Sequence, residues 1–422
     1  MYVTEETRQW LVSETEALVE FAQKSRVDAG FGTMDAVGGI DVDAGAQLWI
    51  NCRMTHVFCL AYMRGNEAAK EYAEHGIRSL LNNFYDEEFG GFFSTISLDS
   101  HEPLNERASR KEAYAHAFVL LASSSGIQAG IDGAEELFAL AKQAHEDHFW
   151  ESTGLVCESW DRTFTENEPY RGVNANMHTV EGSLAAWDAT HDITWLSKAG
   201  SILHFVLGSA QKLGWRIPEH FDVNWNLLPN FNEDCPADPF RPFGVTPGHG
   251  IEWARLALQF WVAAGTVEDS ERASINADDA WLASIPEAAI SLYDQALADG
   301  WNVDGAPGIV YTTSYDGEPV VHERMHWTVC EGIAAAAALA TYGEDVNDQT
   351  LVNRMNDHFD ELCDFAIAKI IEKPGRWTHE LDRNNEPSGI TWPGKPDVYH
   401  AYQCLLMPII PLTASFASAV KN

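Results

Sequence analysis

At 422 residues, with 45% hydrophobic side chains including 15 Trp and 20 Phe, the chain has ample material for a large core. Its 27 Lys+Arg against 63 Asp+Glu give a formal net charge of −36. That sign excludes nucleic acid and anionic membranes as partners, because phosphate recognition needs cations.

Apolar periodicity predicts helices over 4–24, 44–63, 66–83, 109–125, 131–147, 175–190, 194–212, 249–264, 277–297, 326–342, 347–371 and 397–410. Strand-like stretches with turn residues fall between helix pairs at 88–93, 154–160, 214–217, 308–312 and 375–379. Helix, helix, hairpin thus recurs at about 60–95 residues per unit, without Ser- or Pro-rich linkers. One helix of each pair starts with polar residues and is expected inside. Its partner, such as 66–83 or 347–371, carries a charged face for the outside. Twelve helices in six pairs predict an all-α fold, an (α/α)6 barrel or toroid, with short β-hairpins on one rim. No segment looks able to bury its apolar face alone, so 1–422 is read as one catalytic domain. The stretch 214–248, rich in Pro, Asn and Asp, reads as a long loop at the pocket mouth.

No run of about eighteen apolar residues exists to span a bilayer. The N-terminus lacks the basic-then-apolar layout of a secretion signal. The cysteines at 52, 59, 157, 235, 330, 363 and 404 are odd in number and form no Cys-x-x-Cys, so they read as reduced core thiols of a cytoplasmic protein.

His-x-x-Glu occurs twice, as His178–Glu181 and His249–Glu252, each time as an apolar helix begins. Residues three apart share a helical face, so each motif aims an imidazole and a carboxylate the same way. Six helical segments carry a histidine near their N-terminal half: His56, His116, His178, His249, His326 and His400. Helices around a common axis would bring these into one pocket suited to acid–base chemistry on a small polar molecule. The inner helices further offer Trp49, Arg53, Tyr114, Asn174, Asn176, Trp327, Glu331 and Tyr399. His56 and His116 are expected to be structural. Among the tryptophans Trp49, Trp160, Trp225, Trp327, Trp377 and Trp392, only Trp49 and Trp327 sit beside polar inner-helix residues, where stacking on a sugar is favoured over core packing.

Helical His with carboxylates could hold Zn or iron, but the Glu-x-x-His order of di-metal bundles is reversed here and His-Glu-x-x-His is absent. No metal and no cofactor is therefore expected. Glu181, Glu252 and Glu331 could supply the two acids of a glycoside hydrolase, which would leave the histidines without a task. A carbohydrate-binding toroid without turnover stays open as the non-enzyme alternative.

The segments Tyr170-Arg-Gly-Val-Asn-Ala-Asn-Met-His178, Thr246-Pro-Gly-His-Gly-Ile-Glu-Trp253 and Asp397-Val-Tyr-His400 resemble the N-acylglucosamine 2-epimerase superfamily. Leu48-Trp-Ile-Asn-Cys-Arg-Met54, Glu158-Ser-Trp-Asp161 and Gly308-Ile-Val-Tyr311 support the likeness. It runs from first helix to last and is nearest to bacterial aldose–ketose isomerases of mannose or sulfoquinovose. The resemblance implies an (α/α)6 barrel and metal-independent interconversion of an aldose with its 2-ketose. By the same resemblance His400 removes the C2 proton, and His249 is the partner acid–base group that also opens the ring. Glu252 would orient His249, Asn174 and His178 would bind hydroxyls, and Arg53 would contact the oxygens at C1 and C2. Trp49, Tyr114, Glu181, Trp327 and His379 are placed with the substrate-binding set. Where the sulfoquinovose branch has glutamines, this chain has His379 and Pro396, which favours a neutral hexose; Arg241 in the long loop keeps an anionic substituent open.

A neutral imidazole, with a reference pKa of about 6.5, can take and return a proton. Arg53 and protonated His249 could each stabilise the enediolate by about 3–4 kcal/mol. One base moving the proton from C2 to C1 isomerises, whereas two bases on opposite faces of C2 epimerise. The expected reaction is D-mannose to D-fructose, with D-lyxose and D-xylulose as a further pair. A 2-epimerase and a sulfoquinovose isomerase remain alternatives.

Overall fold

A computed structural model describes residues 3–268, 271–275 and 277–421. Helices alternate between an outer and an inner layer. The outer ones are α1 (Glu5–Ala22), α3 (Ala69–Ser79), α5 (Ala134–Ala144), α7 (Thr194–Lys212), α9 (Asp279–Gly300) and α11 (Gln349–Phe365). The inner ones are α2 (Leu48–Met63), α4 (Ala113–Ala129), α6 (Val173–Thr190), α8 (Pro247–Gly265), α10 (His326–Asp345) and α12 (Tyr399–Leu406). Each inner helix packs on the next, and α12 closes the ring against α2 and α1. The expected α/α toroid is therefore present.

Sequence explains the layering. Every residue of α2 from Leu48 to Ala61 is buried, so this helix needs no polar face. α11 buries one stripe, Leu351, Val352, Met355, Phe359, Leu362 and Cys363, and turns charges outward. Capping fixes the outer starts: Thr4 accepts from the Thr7 N–H, and Asp348 accepts from Thr350 and Leu351.

The strands are shorter than expected: Ser159–Trp160, Thr312–Thr313 and Arg376–Trp377 fall at expected stretches, and others form elsewhere. Four of the seven antiparallel pairs tie the residues just ahead of an inner helix to the segment leading towards the next one. They join Ala46–Gln47 to Thr95–Ile96, Lys111–Glu112 to Ser159–Trp160, Arg171–Gly172 to His220–Phe221, and Arg324–Met325 to Glu380–Leu381. A bridge from Val245 to Thr313 repeats the device ahead of α8. The strand expected at 214–217 is absent, because Gly214 and Trp215 both adopt left-handed φ (64° and 68°) and turn the chain. The strand forms instead at His220–Phe221.

A second repeated device locks these ends. Asn51, His116 and Asn176 occupy the fourth position of α2, α4 and α6. Each satisfies backbone groups of a neighbouring loop and a carbonyl one turn back. Asn51 serves Phe31 and Gln47, His116 serves Phe92 and Glu112, and Asn176 serves Val156 and Gly172. Six helix N-termini, with their partial positive charge, are thereby gathered at one end of the barrel. A short helix not expected from the sequence, α13 (Phe416–Lys421), packs on α2, α4 and α6. Its contacts Ser418–Asp188 and Lys421–Gln128 lie at the far ends of α6 and α4. Among the described residues no helix is long and apolar enough to cross a membrane.

Candidate active site

The gathered N-termini surround a cavity of about 670 Å3, its mouth included. The second and sixth positions of the inner helices supply most of the residues these helices turn to the axis, since residues four apart share a face. They are Trp49 and Arg53 on α2, Asn174 and His178 on α6, and Trp327 and Glu331 on α10. Tyr114 on α4, Glu252 on α8 and His400 on α12 fall at the same positions.

Four of the six inner-helix histidines, His178, His249, His326 and His400, line the cavity. The other two are structural, as expected, with both ring nitrogens engaged outside the cavity lining. His56 lies below, between Ser125 at 2.7 Å and Gln403 at 3.2 Å, and His116 is spent on backbone.

Two imidazole–carboxylate dyads face the cavity. His400 donates from Nδ1 to Glu331 Oε1 at 2.9 Å, which leaves Nε2 for a substrate. His249 donates from Nδ1 to Glu219 at 3.0 Å. The expected orienting partner, Glu252, makes no hydrogen bond to His249 among the described residues. It accepts instead from Arg255 Nη2 at 3.3 Å. Sequence reasoning missed Glu219 because it sits in an irregular loop, where no periodicity marks a direction. The Trp327 ring lies 5.3 Å from His249 and 5.8 Å from His400, centroid to centroid, so one indole flanks both imidazoles. A Cβ on Gly248 would lie 2.7 Å from that indole, which explains glycine there.

The floor is polar and largely hydrogen-bonded. Arg53 donates to Tyr114 at 3.1 Å and Asp397 at 3.4 Å, and rests on the rings of Trp49, Phe118 and Tyr399. Burial works against its charge, yet Tyr114, Asp397 and their neighbours raise its pKa. His178 donates to Glu181 at 3.1 Å, and burial pushes its pKa down to about 4. Glu181 also accepts from Tyr399 and Gln403, so it sits beneath His178 and not in the cavity lining. One atom each of His178, Glu181 and Glu252 lies within 4.8 Å of the others. These atoms do not make a ready metal cradle, because Glu181 is already shared among His178, Tyr399 and Gln403.

Behind His400, Glu331 Oε2 accepts from Arg255 Nε at 2.8 Å, and Arg255 also holds Gln259 and Glu252. Burial would raise both carboxyls. Arg255 and His400 bring Glu331 down to about 2. Glu252, facing the charge of Glu331 with a weaker share of Arg255, stays well above its ordinary value. Burial lowers His400 despite its bond to Glu331, so the imidazole is the neutral form a base requires. His326 and His379 stack at 3.8 Å beside it. Burial holds His379 at about 3 and His326 well down, so neither is charged.

The mouth is aromatic, with Phe240, Trp392 and Trp49 in mutual contact. Trp49, Trp327 and Trp392 line the cavity, whereas Trp160, Trp225 and Trp377 do not. Phe240 belongs to the long loop, which is pinned where Tyr311 donates to the Pro239 carbonyl and His220 to that of Pro242. Arg241 points away from the cavity, ion-paired to Glu168 and Glu158 and lying over Tyr170. The expectation that it meets substrate is corrected: two half-buried acids hold the guanidinium, and Arg241 is not among the cavity-lining residues.

An α/α barrel whose axial cavity holds two imidazole–carboxylate dyads belongs to the enzymes that move protons on a small polar molecule. Residues 30–404 match the sequence pattern of N-acylglucosamine 2-epimerase (GlcNAc 2-epimerase). The chain is similar to a D-mannose isomerase from Thermobifida fusca, 42% identical over 419 residues, 98% of this chain and 97% of that protein. It is similar in structure to a crystallised D-mannose isomerase, with TM-score 0.81 and 25% identity over 97% of this chain and 99% of the other. A cellobiose 2-epimerase from Spirochaeta thermophila DSM 6192 shares the fold, with TM-score 0.75 and 18% identity over 96% of each chain. The chain belongs to the N-acylglucosamine 2-epimerase family and is an enzyme of the isomerase class.

Proposed function

We propose that the protein is a cytoplasmic aldose–ketose isomerase that interconverts D-mannose and D-fructose, with D-lyxose and D-xylulose as a further pair, without a metal. The observation that carries the reading is His400, neutral and held through Nδ1 by Glu331, with Nε2 left for the cavity. The relatives named D-mannose isomerase support the choice of sugar.

His249, oriented by Glu219, opens the pyranose ring by exchanging protons at O1 and O5. His400 then takes the proton from C2, and the C–H electron pair becomes the C1–C2 double bond of an enediolate. Arg53 and the converging helix N-termini stabilise its charge. Return of the proton to C1 gives the ketose. Asn174, His178, Trp49, Tyr114, Trp327 and His379 bind the remaining hydroxyls and the apolar sugar face.

A 2-epimerase is the second reading, favoured by the presence of two oriented imidazoles that could act on opposite faces of C2. One experiment separates the readings: incubation with mannose and EDTA in D2O, followed by NMR. Fructose bearing deuterium supports the isomerase and glucose the epimerase. Saturable binding without turnover, or loss of turnover with EDTA, overturns the proposal.

A further inference from the structure

Isomerisation moves two hydrogens, one between carbons and one between oxygens, and the second still needs a carrier. We propose that Glu252 is that carrier, a carboxylic acid that protonates O1 and takes the proton from O2. This rests on the isomerase reading above. With His249 turned to Glu219, Glu252 is released from the orienting task and lines the cavity itself.

The argument begins with an unequal share of one cation. Glu331 and Glu252 flank Arg255, and all three are buried within a few per cent of fully. Glu331 is bonded on both oxygens, by Arg255 at 2.8 Å and His400 at 2.9 Å. Glu252 has the longer 3.3 Å contact from Arg255 on one oxygen only. Two anions that close to one guanidinium cannot both persist in a dry interior, and the poorly held one keeps its proton. The groups facing Glu252 are Arg255 and Glu331, Glu181 and the neutral His178 on α6, Arg53 on α2, and the Tyr114 and Tyr399 hydroxyls. Only the two arginines favour its anion.

The step balances without a co-reactant. His400 removes H+ from C2, the C–H pair forms C1=C2, and the C1=O π pair goes to O1, which takes the proton of Glu252. The Glu252 carboxylate then removes the proton of O2–H. The O2 pair forms C2=O, and C1 receives H+ from His400. Both residues end as they began.

The experiment is E252Q. The amide matches a neutral carboxyl in size and in its bond to Arg255, but it cannot transfer a proton. Expected are an unchanged melting temperature, a KM for mannose close to normal, and a kcat lowered about 10²–10⁴-fold. The alkaline limb of the kcat profile should also disappear. A wild type that does not convert mannose sinks the functional reading; a wild type that does, beside E252Q with near-normal kcat, sinks this one alone. Should E252Q not fold, infrared spectra of the wild type with 13C-labelled glutamate decide. A protonated carboxyl stretch at pH 7 in a Glu158→Gln background, which removes the other glutamate raised to about 7, supports the carrier, and its absence overturns it.

Discussion

Glu219 and His249, thirty residues apart in the chain, meet at 3.0 Å, carboxylate to Nδ1–H, and fix an imidazole toward the cavity. The same carboxylate accepts the Thr246 N–H at 3.4 Å, so it also ties down the start of α8.

E219Q keeps that volume and removes the charge. Mannose turnover should fall about 10²-fold, as for a mispositioned acid–base group. Circular dichroism and thermal unfolding will show whether the fold survives; near-normal turnover would release Glu219 from any role in the chemistry.

Gly248→Ala places a methyl against Trp327, whose ring touches both catalytic-site imidazoles. Overpacking of this kind costs about 1–3 kcal/mol. Activity should drop more than stability, because displacing the indole displaces the bases it flanks. Paired denaturation and kinetic measurements test this.

Acid should destabilise the fold through its buried imidazoles. Burial lowers His56, His145 and His178 to about 4 and His379 to about 3. An unfolded chain titrates these near about 6.5, so between those values it binds more protons than the native state. The stability is complete above about 6.5 and is lost as pH falls through about 4. Burial raises Glu158 to about 7, which acts in the opposite sense above about 4.5. Glu252 and Glu112, also raised by burial, act as Glu158 does, but the lowered imidazoles outnumber these carboxyls, His116, His326 and His400 adding to the four. Urea midpoints measured from pH 7 to pH 4 should fall steadily; a flat series contradicts the assignment.

Arg241→Ala should leave the preference between neutral and anionic hexoses unchanged, since its guanidinium is committed to Glu168 and Glu158. A raised KM for mannose is expected from a loosened loop. A specific loss of activity on a 6-sulfonated or 6-phosphorylated sugar would return Arg241 to the site.

If 1–422 is one domain, unfolding should be a single cooperative transition by tryptophan fluorescence and circular dichroism alike. Two separated transitions would divide the chain.

The outer helices are legible by an apolar stripe opposite a charged face, and the inner ones as long apolar runs; the last, Tyr399–Leu406, is short and passes into a 3-10 turn at Met407–Ile409 within the expected 397–410. Strand positions were less so, since pairs of two residues leave almost no alternating pattern. His400, His249 and Arg53 stood out as polar groups on apolar helices. Glu219 did not, because a loop residue has no face until its neighbours place it. Arg241 misled for the complementary reason: its charge was visible, but the two acids that claim it lie 73 and 83 residues away.

The strand pairs that start four of the inner helices have a consequence for change over time. They hold the scaffold with backbone groups and with Asn51, His116 and Asn176, none of which touches the cavity. The second and sixth helical positions are thereby left free of structural duty. Eight such addresses ring a single chamber, and rewriting their occupants alters what is processed there while the supporting framework stays as it was.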